Sequence, residues 1–366
     1  MLENNTDPRE LAPFSCSYSA HVPELLMKLN CSLAISTYQA GKIIFLSPKN
    51  EDQLIQLPRT FEKPMGIAVL DEPDKMAVAC KDEVIVFSNS KELAVSYPKK
   101  KNTYDALYIP RTTYHIGQLD IHDLSWGENG LYAVNTLFSC IISLGDDYNF
   151  TPFWIPPFIK GLKSEDKCHL NGMVMVNGRP KYATAFNRGN TRQSWREGVT
   201  TDGVLMDTET SEIIAENLRM PHSPRIFNGE LYLLFSATGE IIKMDPSNGT
   251  YEVVTRINGF VRGMAYYKDF LFVGLSKLRQ NSSTFAKLEI AKKALNAGIA
   301  IIHLPTGSYY GEIRYQASVD EIYDIQVLPG KIRPNIFNTI QSEYKLALSI
   351  PGSTYWADPG TSSSNI

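Results

Sequence analysis

The chain carries little surplus charge: 36 Lys and Arg against 39 Asp and Glu leave a formal net charge of −3. No basic run extends beyond Lys99-Lys100-Lys101. A nucleic-acid or anionic-membrane surface needs concentrated positive charge, so neither partner is expected. No stretch approaches the ~18 uninterrupted apolar residues of a membrane span. The opening residues Met1 to Asn5 lack both a basic and an apolar region, so no secretory leader is expected. Cysteine is scarce: Cys16, Cys31, Cys80, Cys140 and Cys168 are scattered, odd in number and without a CxxC pair. That argues against a zinc knuckle or a redox pair, and for reduced thiols in a cytoplasmic protein. A serine nucleophile elbow, a P-loop and a Gly-x-Gly dinucleotide fingerprint are all missing, so no nucleotide cofactor is expected.

What the chain does have is a core-forming composition, 43% hydrophobic and 20% charged, and a repeat. Each copy has a small or polar opener, a strand of alternating apolar residues, a turn rich in Asn, Asp or Gly, and a second strand bearing Tyr or Phe. Met65-Gly66-Ile67-Ala68-Val69 runs into Met76 to Ala79, and His122 to Trp126 turns at Asn129-Gly130 into Leu131 to Val134. Further copies open at Asn171-Gly172-Met173, at Ser223 and at Arg262-Gly263-Met264. Asn-Gly and Asp-containing turns suit tight hairpins because positive φ is inexpensive for those residues. Spacings of about 40 to 60 residues fit four-stranded antiparallel blades with variable loops.

The expected fold is all-β: a six-bladed β-propeller over residues 32–334, after an arm (1–31) with a short helix from Pro23 to Leu29 and before an extension (335–366). An orphan strand at 323–328 and three orphan strands at 32–57 would form one blade, closing the ring with both chain ends and leaving no sheet edge inside it. Seven blades remain the alternative if Ser32 to Thr37 is itself an inner strand and Tyr344 to Ser349 adds another. The two longest insertions, 187–201 and 277–297, fall in loops on the face where inner strands begin. Loops this long in a compact domain usually serve as lids, and Phe285 to Leu295 reads as an amphipathic helix.

Three copies carry a histidine near the opener: His122, His169 and His222. Brought to one mouth of the channel, neutral imidazoles suit a divalent transition metal, Zn, Fe, Mn or Cu, with positions left for water or substrate. Asn171 is a further candidate ligand, and Asn or Asp at the openers would suit Ca. Asp123, Glu321 and Asp324 stand at blade openings as ligands or ring-orienting partners. Glu321 and Asp324, with Tyr323 between them, are the candidates for acid–base work. Arg262, Arg225, Arg196 and Lys277 are candidates to hold a substrate carboxylate or phosphate, and Tyr38, Gln39 and Asn135 would face the same mouth. Aligned on the strands, His169 and His222 lie two and one residues ahead of their openers, so the histidine register is imperfect.

From Ser32 to Pro334 the chain resembles a bacterial family of conserved hypothetical proteins with a propeller-like domain of unknown function. The resemblance rests on Ser36-Thr37-Tyr38-Gln39-Ala40-Gly41-Lys42, His122-Asp123, Asn135-Thr136-Leu137-Phe138-Ser139-Cys140, Cys168-His169-Leu170-Asn171-Gly172 and Trp195-Arg196-Glu197. It continues through Met220-Pro221-His222-Ser223-Pro224-Arg225, Arg262-Gly263, Val273-Gly274-Leu275-Ser276-Lys277 and Glu321 to Gly330. That family implies no activity. The architecture is also similar to gluconolactonase-like propellers, which bind a divalent metal at the channel mouth through Glu, Asn and Asp where this chain has histidines; fold alone does not carry function across. The combined expectation is a metal-dependent enzyme acting on a small or peptide-like substrate at a lidded mouth, with hydrolase, lyase and oxygenase chemistry open. The alternative is a non-catalytic ligand- or protein-binding module. Oligomeric state is left open.

Overall fold

The computed structural model describes residues 11–72, 74–278, 285 and 288–358. Six antiparallel sheets follow one another along the chain as the blades of a propeller. Blade one takes its inner strand, Asp324–Pro329, from late in the chain and its other three, Cys31–Thr37, Lys42–Pro48 and Leu54–Thr60, from early in it. The pairing is continuous from Cys31↔Pro329 to Ser36↔Asp324. Ring closure by both chain ends is therefore as expected, and the blade count is six. The inner strands of blades two to six are Ile67–Leu70, Ile121–Gly127, Leu170–Val176, Pro221–Phe227 and Phe260–Tyr267.

Both flanking segments are woven into the ring. Cys16–Tyr18 adds a fifth strand outside blade six, against Ile313 to Tyr315. The helix Val22–Leu29 starts with proline in its first turn, as its fixed φ favours, and ends at Asn30 in a left-handed cap. Its Val22, Leu25, Leu26 and Leu29 pack into the core between blades six and one. At the other end Pro334–Ile336 pairs in parallel with Ala106 to Tyr108 as a fifth strand of blade two. The segment Tyr344 to Ser349, which the seven-bladed alternative would have made a further strand, is instead part of a 3₁₀ turn, Ser342–Leu346, and a two-stranded hairpin, Ala347–Ile350 with Ser353–Trp356. Of the expected helix from Phe285 to Leu295, Ala286 and Lys287 lie outside the described residues. The rest contains only the 3₁₀ turn Glu289–Lys292, with Leu288, Ile290, Ala291 and Ala294 buried.

Around the channel the inner strands alternate in kind. Blades one, three and five offer a side chain that accepts the backbone N–H of the next blade. Asp324 Oδ2 takes Ile67 N at 2.9 Å, Asp123 Oδ2 takes Met173 N at 3.0 Å, and Ser223 Oγ takes Gly263 N at 3.0 Å. Blades two, four and six offer a glycine at the intervening junctions. A Cβ at Gly66 would meet the Asp123–Leu124 backbone, at Gly172 the Pro224 ring, and at Gly263 the Asp324 backbone at 2.8 Å. Gly263 also sits at φ +73°, where an L side chain costs ~1–2 kcal/mol before any clash. Gly263→Ala is accordingly expected to lower stability by more than about 2 kcal/mol, read as a shift in the denaturant midpoint. An unchanged midpoint would show that the junction tolerates a wider gap.

The odd blades also meet on the axis. Arg225 donates to both oxygens of Asp123, at 2.9 and 3.0 Å, and lies 3.8 Å from Asp324 Oδ1. Asp324 Oδ1 also accepts its neighbour Ile325 N, so both carboxylates are engaged in holding blades together.

Candidate functional site

The mouth where the inner strands begin opens into a cavity of about 540 Å³. Of the residues singled out from sequence, His122, His169, His222, Glu321, Tyr323, Arg262, Arg196, Lys277, Tyr38 and Gln39 line it. Five others do not. Asp123, Asp324 and Arg225 belong to the axial ion cluster. Asn171 donates nothing to the mouth and accepts Thr184 Oγ1 at 2.7 Å, and Asn135 caps a turn by accepting Phe138 N at 3.1 Å.

The strand starts explain the uneven histidine register. His122, Asn171 and His222 are the second residues of their inner strands, whereas His169 immediately precedes its own. The residue before the strand is left-handed in all three blades, Asp120 at φ 57°, His169 at 51° and Met220 at 56°. That twist turns the His169 ring towards His122, with centroids 4.8 Å apart and planes at 85°.

The rings at the mouth form a belt in which each touches the next. Tyr38 meets Tyr323 at 5.6 Å, Tyr323 meets His122 at 5.7 Å, and His122 meets His169. His169 lies 4.6 Å from Phe186, which lies 5.0 Å from His222, which in turn lies 6.1 Å from Phe260. Phe186 thus stands between His222 and the other two histidines. Among the described residues, no three His, Cys, Asp or Glu side chains are grouped so as to hold a metal ion. Trp195, from the first lid loop, stacks on His169 at 4.3 Å and donates Nε1–H to Asp166 Oδ2 at 2.9 Å. Phe186, Phe260 and Asp166 escaped the sequence reading. The aromatics looked like ordinary blade packing, and Asp166 is separated from any opener by a left-handed turn.

Each imidazole commits its Nδ1 to an acceptor of the protein. His122 Nδ1 faces the Asp120 carbonyl at 3.0 Å, and His169 Nδ1 faces the Asp166 carboxylate at 3.1 Å. His222 Nδ1 faces Ser236 Oγ at 2.6 Å, and that hydroxyl spends its own hydrogen on the Val261 carbonyl, so it must accept. His122 and His222 therefore carry their proton on Nδ1, toward the protein, and among the described residues no Nε2 of the three has a hydrogen-bond partner. Burial, aided by the charges of His169 and Arg262 and opposed by Asp120, pulls His122 down to about 3. Burial and Arg262 hold His222 well below the ordinary histidine range.

Glu321 is 4% exposed. Its Oε1 accepts Thr37 Oγ1 at 2.8 Å and Gln39 N at 2.9 Å, while Oε2 is buried without a partner. Burial pushes this carboxyl up to about 7, against the lowering pull of those bonds and of Arg262. Tyr323 Oη is likewise buried and unpartnered. The Arg262 guanidinium lies over the Tyr323 ring, 3.6 Å from its centroid, and forms no ion pair among the described residues. Lys63, by contrast, is paired with Asp120 at 2.7 Å, and Lys277 lies 3.9 Å from Asp320 at the rim.

A family model described as a domain of unknown function matches residues 20–337. No curated protein matches the sequence. The fold is widespread, with 484 matching chains of solved structures, so by itself it selects no activity. One of them, from a nidogen/laminin complex, is 12% identical with a TM-score of 0.53 over 82% of this chain and 99% of its own. That likeness concerns the propeller fold alone, and nothing in these comparisons supports the gluconolactonase-type similarity expected from architecture. No helix among the described residues is long and apolar enough to cross a membrane.

Proposed function

This chain belongs to the DUF4915 family, a domain of unknown function, and from that premise we propose that its lidded mouth is the active site for a small or peptide-like substrate bearing an anionic group. Arg262 anchors that group: a guanidinium that forms no ion pair among the described residues and lies over a tyrosine face is suited to a carboxylate or phosphate. Glu321 moves the proton, because a carboxyl poised near neutrality with one free oxygen both gives and takes protons at working pH. The buried, unpartnered Oε2 of Glu321 in the same cavity as Arg262, which forms no ion pair among the described residues, is the observation that supports this reading. Hydrolase, lyase and oxygenase chemistry share that requirement and are not separated by it. The five cysteines are free, which favours a reducing, cytoplasmic setting.

The anchor is tested by titrating a panel of small carboxylates and phosphates against the wild type and Arg262→Met by calorimetry. Loss of a charge-assisted contact is expected to weaken binding about 10- to 100-fold. Equal affinity in the two proteins would remove Arg262 from the site.

Metal dependence, as part of this proposal, is assigned to the adjacent pair His122 and His169, whose Nε2 atoms are the donors for Zn, Fe, Mn or Cu; Ca, which prefers oxygen ligands, suits them poorly. Such an ion would supply Lewis acidity beside Glu321. Elemental analysis of tag-free protein is expected to find metal that His122→Ala/His169→Ala loses. Metal-free protein of unchanged stability would leave Glu321 and Arg262 as the whole apparatus. A non-catalytic ligand-binding module is the second reading, favoured by the two bonds through which Glu321 Oε1 fastens the blade-one turn. It predicts that Glu321→Gln keeps ligand binding and that no ligand is ever turned over.

A further inference from the structure

We infer that the anionic substrate carries an apolar body, a ring or a branched chain, a few bonds from its anionic group, because Arg262 stands at the border between a charged wall and a ring-lined apolar wall of one cavity. The inference rests on the reading of Arg262 as the anchor and names the class of molecule the mouth takes, an amphipathic carboxylate or phosphate.

The lining of the mouth is divided. Lys63, Asp120, Asp166 and Glu321 bring charge to one part of it, and Phe186, Met220, Phe260 and Leu278 make another part apolar. His222 stands among the latter, edge-to-face against both Phe186 and Phe260. Trp195 joins the two parts, with its ring in the apolar cluster and its Nε1–H on Asp166. The apolar cluster is built by both lids, through Val199 on the first and Ile290 and Ala294 on the second. Leu278 is pinned to it by its N–H, which donates to the Ala294 carbonyl at 3.0 Å. A cluster that served packing alone would close on itself, since protein interiors leave few voids larger than a water. This one keeps a side open on the cavity of about 540 Å³, where water finds few partners and an apolar group is favoured. Arg262 borders both parts. It lies two positions beyond Phe260 on the inner strand of blade six, about 7 Å along the strand, and its guanidinium covers the ring of Tyr323, two residues from Glu321. A molecule held by Arg262 therefore has the apolar wall within reach of its next few atoms. A bare anion such as acetate would leave that wall wet.

The probes are phenylacetate, 4-methylpentanoate and phenyl phosphate, titrated calorimetrically at several temperatures beside acetate and inorganic phosphate. At least one probe with an apolar body is expected to bind about 10- to 100-fold tighter than the corresponding bare anion. Its binding heat should grow more exothermic with temperature, the mark of apolar burial, while that of the bare anion should not. Leu278→Ser should weaken only the probes with an apolar body, about 3- to 10-fold. Phe260→Leu, which keeps an apolar side chain in the cluster, should weaken the phenyl probes more than 4-methylpentanoate, so a folding defect in one variant leaves the other to be read. Bare anions binding as tightly as their apolar derivatives, with Arg262→Met still weakening both, would overturn the apolar body and leave the anchor in place. Apolar derivatives that bind tightly and ignore Arg262→Met would remove the anchor, and with it the amphipathic class. If no probe binds, the inference and the anchor fall together.

Discussion

Replacing Arg225 by methionine is expected to cost the fold about 3 kcal/mol, because it leaves two buried carboxylates facing each other without a cation. Among the described residues, the bidentate contact to Asp123 and the 3.8 Å approach to Asp324 are the only links between these acids and a positive charge. The Arg225 side chain keeps 18% exposure, which sets the expectation at the low end of the range for broken buried pairs. The loss depends on pH in a definite direction. Burial, with Asp123 adding to it and Arg225 opposing, already raises Asp324 to about 6. Removing Arg225 raises it further, and a carboxyl elevated in the folded state contributes stability at low pH that disappears as pH rises through its folded value. Urea unfolding should therefore show Arg225→Met close to wild type near pH 5 and far weaker at pH 8. A second change, Asp324→Asn, should recover part of the loss at pH 8 without Arg225. A pH-independent defect would mean that shape, not charge, is what Arg225 supplies.

Glu321→Gln is expected to strengthen the fold while removing proton transfer. The carboxyl titrates near 7 when folded and near 4.3 in an unfolded chain. Between those values the folded state holds the proton and the unfolded state does not, so stability falls as pH rises through this window. Above it the native protein carries a buried charge, and an elevation of this size corresponds to roughly 4 kcal/mol at pH 8. Glutamine is neutral at every pH and keeps an oxygen for Thr37 and Gln39. The variant should thus unfold at higher denaturant than wild type at pH 8 and match it near pH 4. A loss of stability at pH 8 would show that Glu321 is held as a stabilising carboxylate, which is the wrong state for the proposed chemistry. Gain of stability on neutralising a poised group is the usual trade at a working site.

Much of this was legible in the sequence because a repeat advertises itself. The openers Met65, His122, Asn171, Ser223 and Arg262 located the inner strands, and the two sets of orphan strands at 32–57 and 323–328 predicted the shared blade. The lid loops and the three histidines fell at the mouth for the same reason. The errors came from one-residue distinctions. Successive side chains of a strand point to opposite sides, so Tyr323 reaches the cavity while Asp324, its neighbour, turns to the axis. His122 and Asp123 divide in the same way. A finer signal was present: Gly66-Ile67, Gly172-Met173 and Gly263-Met264 alternate along the chain with Asp123-Leu124 and Asp324-Ile325, the pattern of glycine junctions and acceptor side chains around the channel. Arg225 could not have been placed by local rules. Its partners lie 102 and 99 positions away, on other blades.

The shared blade has a consequence for how the molecule comes into being. Translation proceeds at ~5–20 residues per second, so blades three to five and the first four strands of blade two are synthesised before Asp324–Pro329, while blade six, ending at Tyr315, precedes it only narrowly. Until that segment emerges, Cys31–Thr37 waits without its neighbour, an unpaired strand of the kind that recruits wrong partners. Glu321 and Tyr323 arrive on the same late segment that finishes the circle. A chain interrupted before that segment therefore has most of the ring but lacks Glu321 and Tyr323, two of the residues that line the mouth.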